Sequence, residues 1–134
     1  MPEITLNYWA ILATTAFSMA LGSAWYSKLM FGNAWMKLAG LKMDQMKDAG
    51  KAMVVMVLCA LIQAYVFAHV IDAFQGDTFM EGLTGGFFMW LGFVGLVLLN
   101  EVTFNKRPFK LWMITAGYQL VNLLVGGVIL ALWQ

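Results

Sequence analysis

Four stretches of about 20 predominantly apolar residues run along this chain and leave little else. A helix needs roughly that length to cross a hydrocarbon core about 30 Å thick, since each residue rises about 1.5 Å. The stretches cover about residues 6–26, 52–71, 82–99 and 111–132. What lies between them is too short for a soluble domain, so residues 1–134 read as a single transmembrane domain. Composition agrees: 62% of residues are hydrophobic, 11% are charged and the mean hydropathy is +0.77. A soluble domain carries about 25% charged residues. A net charge of +1 offers no footprint for nucleic acid. Cys59, the single cysteine, lies inside an apolar run, so no internal disulfide can form.

The eight Lys and Arg residues orient the chain. Lys28, Lys37, Lys42, Lys47 and Lys51 fall in the loop 27–51, and Lys106, Arg107 and Lys110 fall in the loop 100–110. Short cytoplasmic loops collect such residues. The expected fold is therefore an all-α four-helix transmembrane bundle, N-out and C-out, with both basic loops inside. A bacterial plasma membrane is the expected location. Residues 1–7 hold Glu3 and no Lys or Arg, so the first run reads as a retained helix rather than a signal peptide. The charge asymmetry disfavours an antiparallel dual-topology dimer. Lys28, Lys37, Lys106, Arg107 and Lys110 are candidate contacts for anionic lipid head groups, at about 1 kcal/mol each.

The first basic loop carries its own pattern. Phe31, Trp35, Leu38 and Leu41 recur at helical spacing, Asn33 can cap a helix and Gly40 can end one. Residues 33–39 are expected to form an amphipathic helix on the cytoplasmic surface. A further helix is expected to start near Asp44, with Asp44 and Asp48 at its positive end. The run Trp25-Tyr26-Ser27, then Phe31-Gly32 and Trp35, resembles an uncharacterised family of small four-helix membrane proteins, domain of unknown function 1761. The resemblance extends over essentially the whole chain. It implies the four-span architecture and carries no activity, cofactor or functional residue with it.

Within a bilayer, small residues and interhelical hydrogen bonds hold helices together. Ala13, Ala16, Ala20 and Ser23 share one stripe of the first span, and Gly85, Gly92 and Gly95 share one on the third. Both stripes read as packing seams, within the bundle or between subunits. Thr115, Gln119 and Asn122 form a polar stripe on the fourth span, and Gln63 is the polar residue of the second. Gln63 lies 11 positions after Ala52 and Asn122 lies 11 after Leu111, which places both about 16 Å from the inner boundary. Gln63 is expected to face Gln119 and Asn122, either as structural glue or as a midplane site for a small solute.

No span carries a central Asp, Glu, Lys or Arg. Ion-coupled carriers usually keep such a group within the membrane, and small multidrug exporters of this size need a membrane carboxylate. His69 with Asp72 forms a candidate outer site, with Glu81 or Glu3 nearby, though an interfacial hydrogen-bonded histidine explains it as well. Glu101 with Lys106 and Arg107 reads as a set of surface ion pairs. No nucleophile–base pair, metal-ligand spacing or cofactor motif is found, so no enzyme, metal or cofactor is expected. Two functions follow. One is a small homo-oligomeric channel or carrier for a neutral or weakly polar solute. The other is a non-transporting membrane module that binds lipid or a partner protein through the basic loops and the Trp35 helix.

Overall fold

The computed structural model describes residues 6–27, 29–40 and 49–134. Its regular elements are helices: α1 (Tyr8–Trp25), α2 (Gly32–Ala39), α3 (Ala49–Ala73), α4 (Phe79–Trp90), a π-helical turn (Leu91–Gly95), α5 (Leu96–Phe104) and α6 (Phe109–Leu132). Three helices are long and apolar enough to cross a membrane: Gly50–Ala73, Phe79–Phe104 and Phe109–Leu132. The second of these joins α4, the π turn and α5. With 18 residues, α1 is not among the three. Thr14, Thr15 and Ser18 lower its apolar character, and it spans about 27 Å.

Local chemistry sets the helix ends. The Asn7 side chain accepts hydrogen bonds from the N–H groups of Trp9 (3.0 Å) and Ala10 (3.4 Å), which starts α1. Thr78 and Glu81 form a reciprocal capping box at the start of α4. Pro108, which could not sit inside a helix ladder, immediately precedes α6. Gly40 ends α2 at φ +73°, a left-handed conformation that suits glycine. Lys106 takes the same left-handed turn after α5 at φ +55°. Arg107 N–H then donates to the Val102 carbonyl (2.9 Å), closing the helix end.

Helix α6 touches every other helix and is the hub of the bundle. Its tightest neighbour is α4. A Cβ added at Gly82 would overlap the Gly127 carbonyl, and one at Gly86 would overlap the Leu123 carbonyl. These glycines therefore bring two backbones into direct contact, as small-xxx-small pairs do in membranes. The apolar core of Ala10, Ile11, Ala64, Phe67, Ala68, Ile71, Leu123, Leu130 and Ala131 gathers at the end where α1 starts and α6 finishes. There the Asn7 amide donates to the Trp133 carbonyl (3.3 Å). Toward the α2 end the bundle opens, and residues 50–59 of α3 are exposed on all sides.

Several expectations change. The third span continues to Phe104, so most of the expected loop 100–110 is helix. Asn33 lies inside α2, and Phe31 occupies the position before the helix without a side-chain cap. The glycine seam of the third span is Gly82 and Gly86, not Gly85, Gly92 and Gly95. Gly85 lies against Phe74 and Ile71, Gly92 faces open space, and Gly95 lies against the Trp90 ring. Gly82 and Gly86, four residues apart, fall on the α4 face that meets α6, whereas Gly85 lies to one side, and the i→i+5 pattern of the π turn then shifts Gly92 and Gly95 off the 100° per residue progression of a regular helix. On α1, Ala16, Ala20 and Ser23 are exposed and Ala13 is half-buried. The buried face is Ala10, Ile11, Thr14, Thr15, Ser18 and Gly22. The Thr14 and Thr15 hydroxyls donate to carbonyls four residues back, both at 2.8 Å, so they pack as satisfied small groups. Lys28, Lys42, Lys47, Glu3 and the helix start at Asp44 and Asp48 lie outside the described residues.

Candidate functional site

The predicted polar stripe divides into separate pairs. Ser18 Oγ donates to Asn122 Oδ1 at 2.6 Å, joining α1 to α6. Gln63 Nε2 donates to Gln119 Oε1 at 3.5 Å, the long limit for such a bond. The Thr115 hydroxyl turns back to the Leu111 carbonyl (3.0 Å). Gln63 thus meets Gln119 but not Asn122, whose partner comes from α1, the helix whose small-residue spacing read as a packing seam. Among the described residues, no buried side-chain nitrogen or oxygen lacks a hydrogen-bond partner.

Among the described residues, the candidate outer site does not assemble into a metal centre. His69 is half-buried and meets Tyr65 edge-on at 4.7 Å. Asp72 faces a small crevice beside Asn7 and Trp133. Glu81 is taken up by the capping box, its carboxylate accepting from the N–H groups of Asp77 (2.7 Å) and Thr78 (3.2 Å). No group of three or more His, Cys, Asp or Glu among the described residues could hold a metal ion.

The richest chemistry lies at the α2 end. A framework of aromatic rings holds α2 against the bundle. Phe31 meets Trp25 at a tilt (4.8 Å between centroids, 41° between planes), Trp35 meets Tyr26 (5.6 Å), and Tyr26 meets Tyr118 of α6 (5.7 Å). Gly32 makes the reversal between α1 and α2 possible, because a Cβ there would overlap the Tyr26 carbonyl. Hydrogen bonds from Phe31 N–H to the Trp25 carbonyl and from Gly32 N–H to the Ser27 carbonyl, both 2.9 Å, fasten the same turn. The Trp-Tyr…Phe-Gly…Trp pattern is therefore the device that docks α2. Three indoles pin the surrounding backbone: Trp25 donates to the Ile114 carbonyl (2.9 Å), Trp90 to Ala116 (2.9 Å) and Trp112 to Gly95 in the π turn (2.8 Å).

Between α2, α5 and α6 lies a cavity of about 300 Å³. Trp35 and Ala39 of α2 form one wall, Leu98, Val102 and Leu111 an apolar floor, and Glu101, Asn105, Arg107 and Thr115 the polar groups. Arg107 donates to the Ala39 carbonyl at 3.4 Å, so its cation sits at the negative end of α2. The expected surface ion pairs do not form: among the described residues, Glu101 pairs with neither Lys106 nor Arg107. The five-residue separation of Glu101 from Lys106 and six from Arg107 suits neither helical pairing interval, and the helix ends between them. Of the other predicted head-group contacts, Lys37 and Lys110 are exposed and do not line the cavity. Glu101, Asn105 and Trp35 were not expected to share a site. The available signal was the run Leu98, Glu101, Val102, Asn105, whose spacings of 3, 1 and 3 put apolar and polar groups on one helix face.

Among the described residues, three helices are long and apolar enough to cross a membrane and the buried polar side-chain atoms are paired internally, the features of a helical integral membrane protein. The chain belongs to the family described as protein of unknown function DUF1761, whose model matches residues 9–131. No curated protein and no solved structure matches it.

Proposed function

We propose that this protein is a non-transporting membrane module that holds a lipid in the cavity beneath α2. In this reading α1 is the first of four crossings, both termini lie outside and α2 rests on the cytoplasmic leaflet. The carrying observation is a single cavity with charged groups, Glu101 and Arg107, above an apolar floor of Leu98, Val102 and Leu111. Such a cavity suits a molecule with a polar head and an apolar body. The amides support the same reading from the other side. Ser18–Asn122 and Gln63–Gln119 use them as interhelical links, so the midplane offers a solute no unpartnered buried group among the described residues. Exposed Lys37, Lys51 and Lys110 would add general attraction to anionic lipid. The exposed Ala16-Ala20-Ser23 stripe of α1 is the proposed contact with a second copy.

Lipid co-purifying with the detergent-solubilised protein tests the reading. Wild type should retain phospholipid that Trp35→Ala with Arg107→Gln loses, while Gln63→Leu with Asn122→Leu retains it. Lipid loss in the amide variant alone, or solute flux in liposomes abolished by it, would restore the midplane site.

A further inference from the structure

We infer that the cavity beneath α2 recognises a phospholipid whose head group carries a primary ammonium beside its phosphate, a phosphoethanolamine head; this rests on the lipid-binding reading above. The argument is charge complementarity. Among the described residues the cavity lining has one carboxylate, Glu101, and one guanidinium, Arg107, and the two are not paired with each other. Among the described residues Glu101 has no ion-pair partner, and Arg107 gives one N–H to the Ala39 carbonyl and keeps the rest of its donor fork, so together they match a zwitterion. A guanidinium presents a planar fork of donors that suits phosphate oxygens. A carboxylate accepts hydrogen bonds from a primary ammonium, and the face of an indole attracts the same cation, so Glu101 and Trp35 address one end of the head group. Asn105 adds an amide that can donate to the phosphate or glycerol oxygens. The apolar floor then receives the start of the acyl chains.

The same lining argues against the common alternatives. An anionic phosphoglycerol head would bring no cation to Glu101. A choline head would bring a cation with no N–H to donate. The site is also built before any ligand arrives, because Tyr26, Phe31 and Gly32 hold α2 in place from below. Preorganisation of this kind reduces the ordering cost of binding.

The test uses the full chain in detergent, incubated with an equal mixture of phosphatidylethanolamine, phosphatidylglycerol and phosphatidylcholine, with retained lipid counted by native mass spectrometry. Wild type should retain the ethanolamine lipid preferentially. Glu101→Gln should cut that preference about tenfold while still holding lipid, as loss of one charge-assisted contact implies. Arg107→Gln should weaken all three lipids, and Asp77→Asn, exposed in the connection between α3 and α4 and outside the cavity lining, should change nothing. Equal retention of the three lipids by wild type, or an unchanged preference in Glu101→Gln, overturns the head-group assignment but leaves lipid binding standing. A wild type that retains no lipid overturns both. Complete displacement by equimolar free phosphoethanolamine would make a soluble metabolite, not a membrane lipid, the ligand.

Discussion

Gly86→Ala should destabilise the protein through a single methyl group. Gly86 is buried on α4, and an added Cβ would overlap the Leu123 carbonyl and crowd the Leu124 Cα at 3.1 Å. Both neighbours are backbone of α6, which cannot rotate aside as a side chain can. The helices must separate along the most intimate contact of the bundle, so lost packing on either side joins the direct clash. Overpacking of this kind costs about 1–3 kcal/mol. Alanine favours a helix over glycine by about 1 kcal/mol, which offsets part of that cost. Gly92→Ala is the internal control, because its Cβ would meet nothing within 4 Å. It should be neutral or slightly stabilising. The assay is thermal or denaturant unfolding in detergent, followed by tryptophan fluorescence, since Trp90 and Trp112 sit at the same helix pair. Gly86→Ala equal to or more stable than Gly92→Ala would refute the claim that backbone contact at Gly82, Gly86 and Gly127 holds α4 to α6.

Further outcomes follow from the same geometry. Lys106→Gly should stabilise the protein by about 1 kcal/mol, because Lys106 occupies a left-handed turn at φ +55° that favours glycine; unfolding midpoints check it. Asn122→Leu should cost roughly 0.6–2 kcal/mol, the usual range for an interhelical hydrogen bond in a membrane, and Ser18→Ala with it should add little more. A double-mutant cycle reads that coupling. Gly32→Ala should release α2 from the bundle, seen as greater solvent exposure of Trp35 by fluorescence quenching, while far-UV circular dichroism changes little.

The legible part of this chain was the part written in local pattern. Apolar runs located the helices to within a few residues, and Gly40 and Pro108 marked boundaries because glycine in a left-handed turn and proline before a helix act on their own backbone. The Trp25-Tyr26…Phe31-Gly32…Trp35 pattern carried the family. The partner of each polar group was less legible. Depth placed Gln63 level with Asn122, but depth does not say which helix lies across the interface, and Asn122 turned to Ser18. The glycine seam was misplaced because spacing groups small residues without saying which helix face meets a neighbour, and a π turn then shifts Gly92 and Gly95 without any change in hydropathy. Glu101 and Arg107 are exposed charges, and they did not read as one site because their shared cavity needs α2, whose position depends on rings far apart in sequence.

Sequence by itself determined that this protein is helical, apolar enough for a membrane and a member of its family, because length, hydropathy and helix-ending residues act locally. Tertiary structure alone decided that Gly82 and Gly86 meet Gly127 and Leu123, that Asn122 pairs with Ser18 and Gln63 with Gln119, and that Trp35, Glu101 and Arg107 line one cavity. Those facts depend on which helix faces which, and inside a bilayer hydrophobicity is nearly the same on every face, so it cannot choose the partners. Close packing and hydrogen bonding choose them, and both are properties of the assembled bundle.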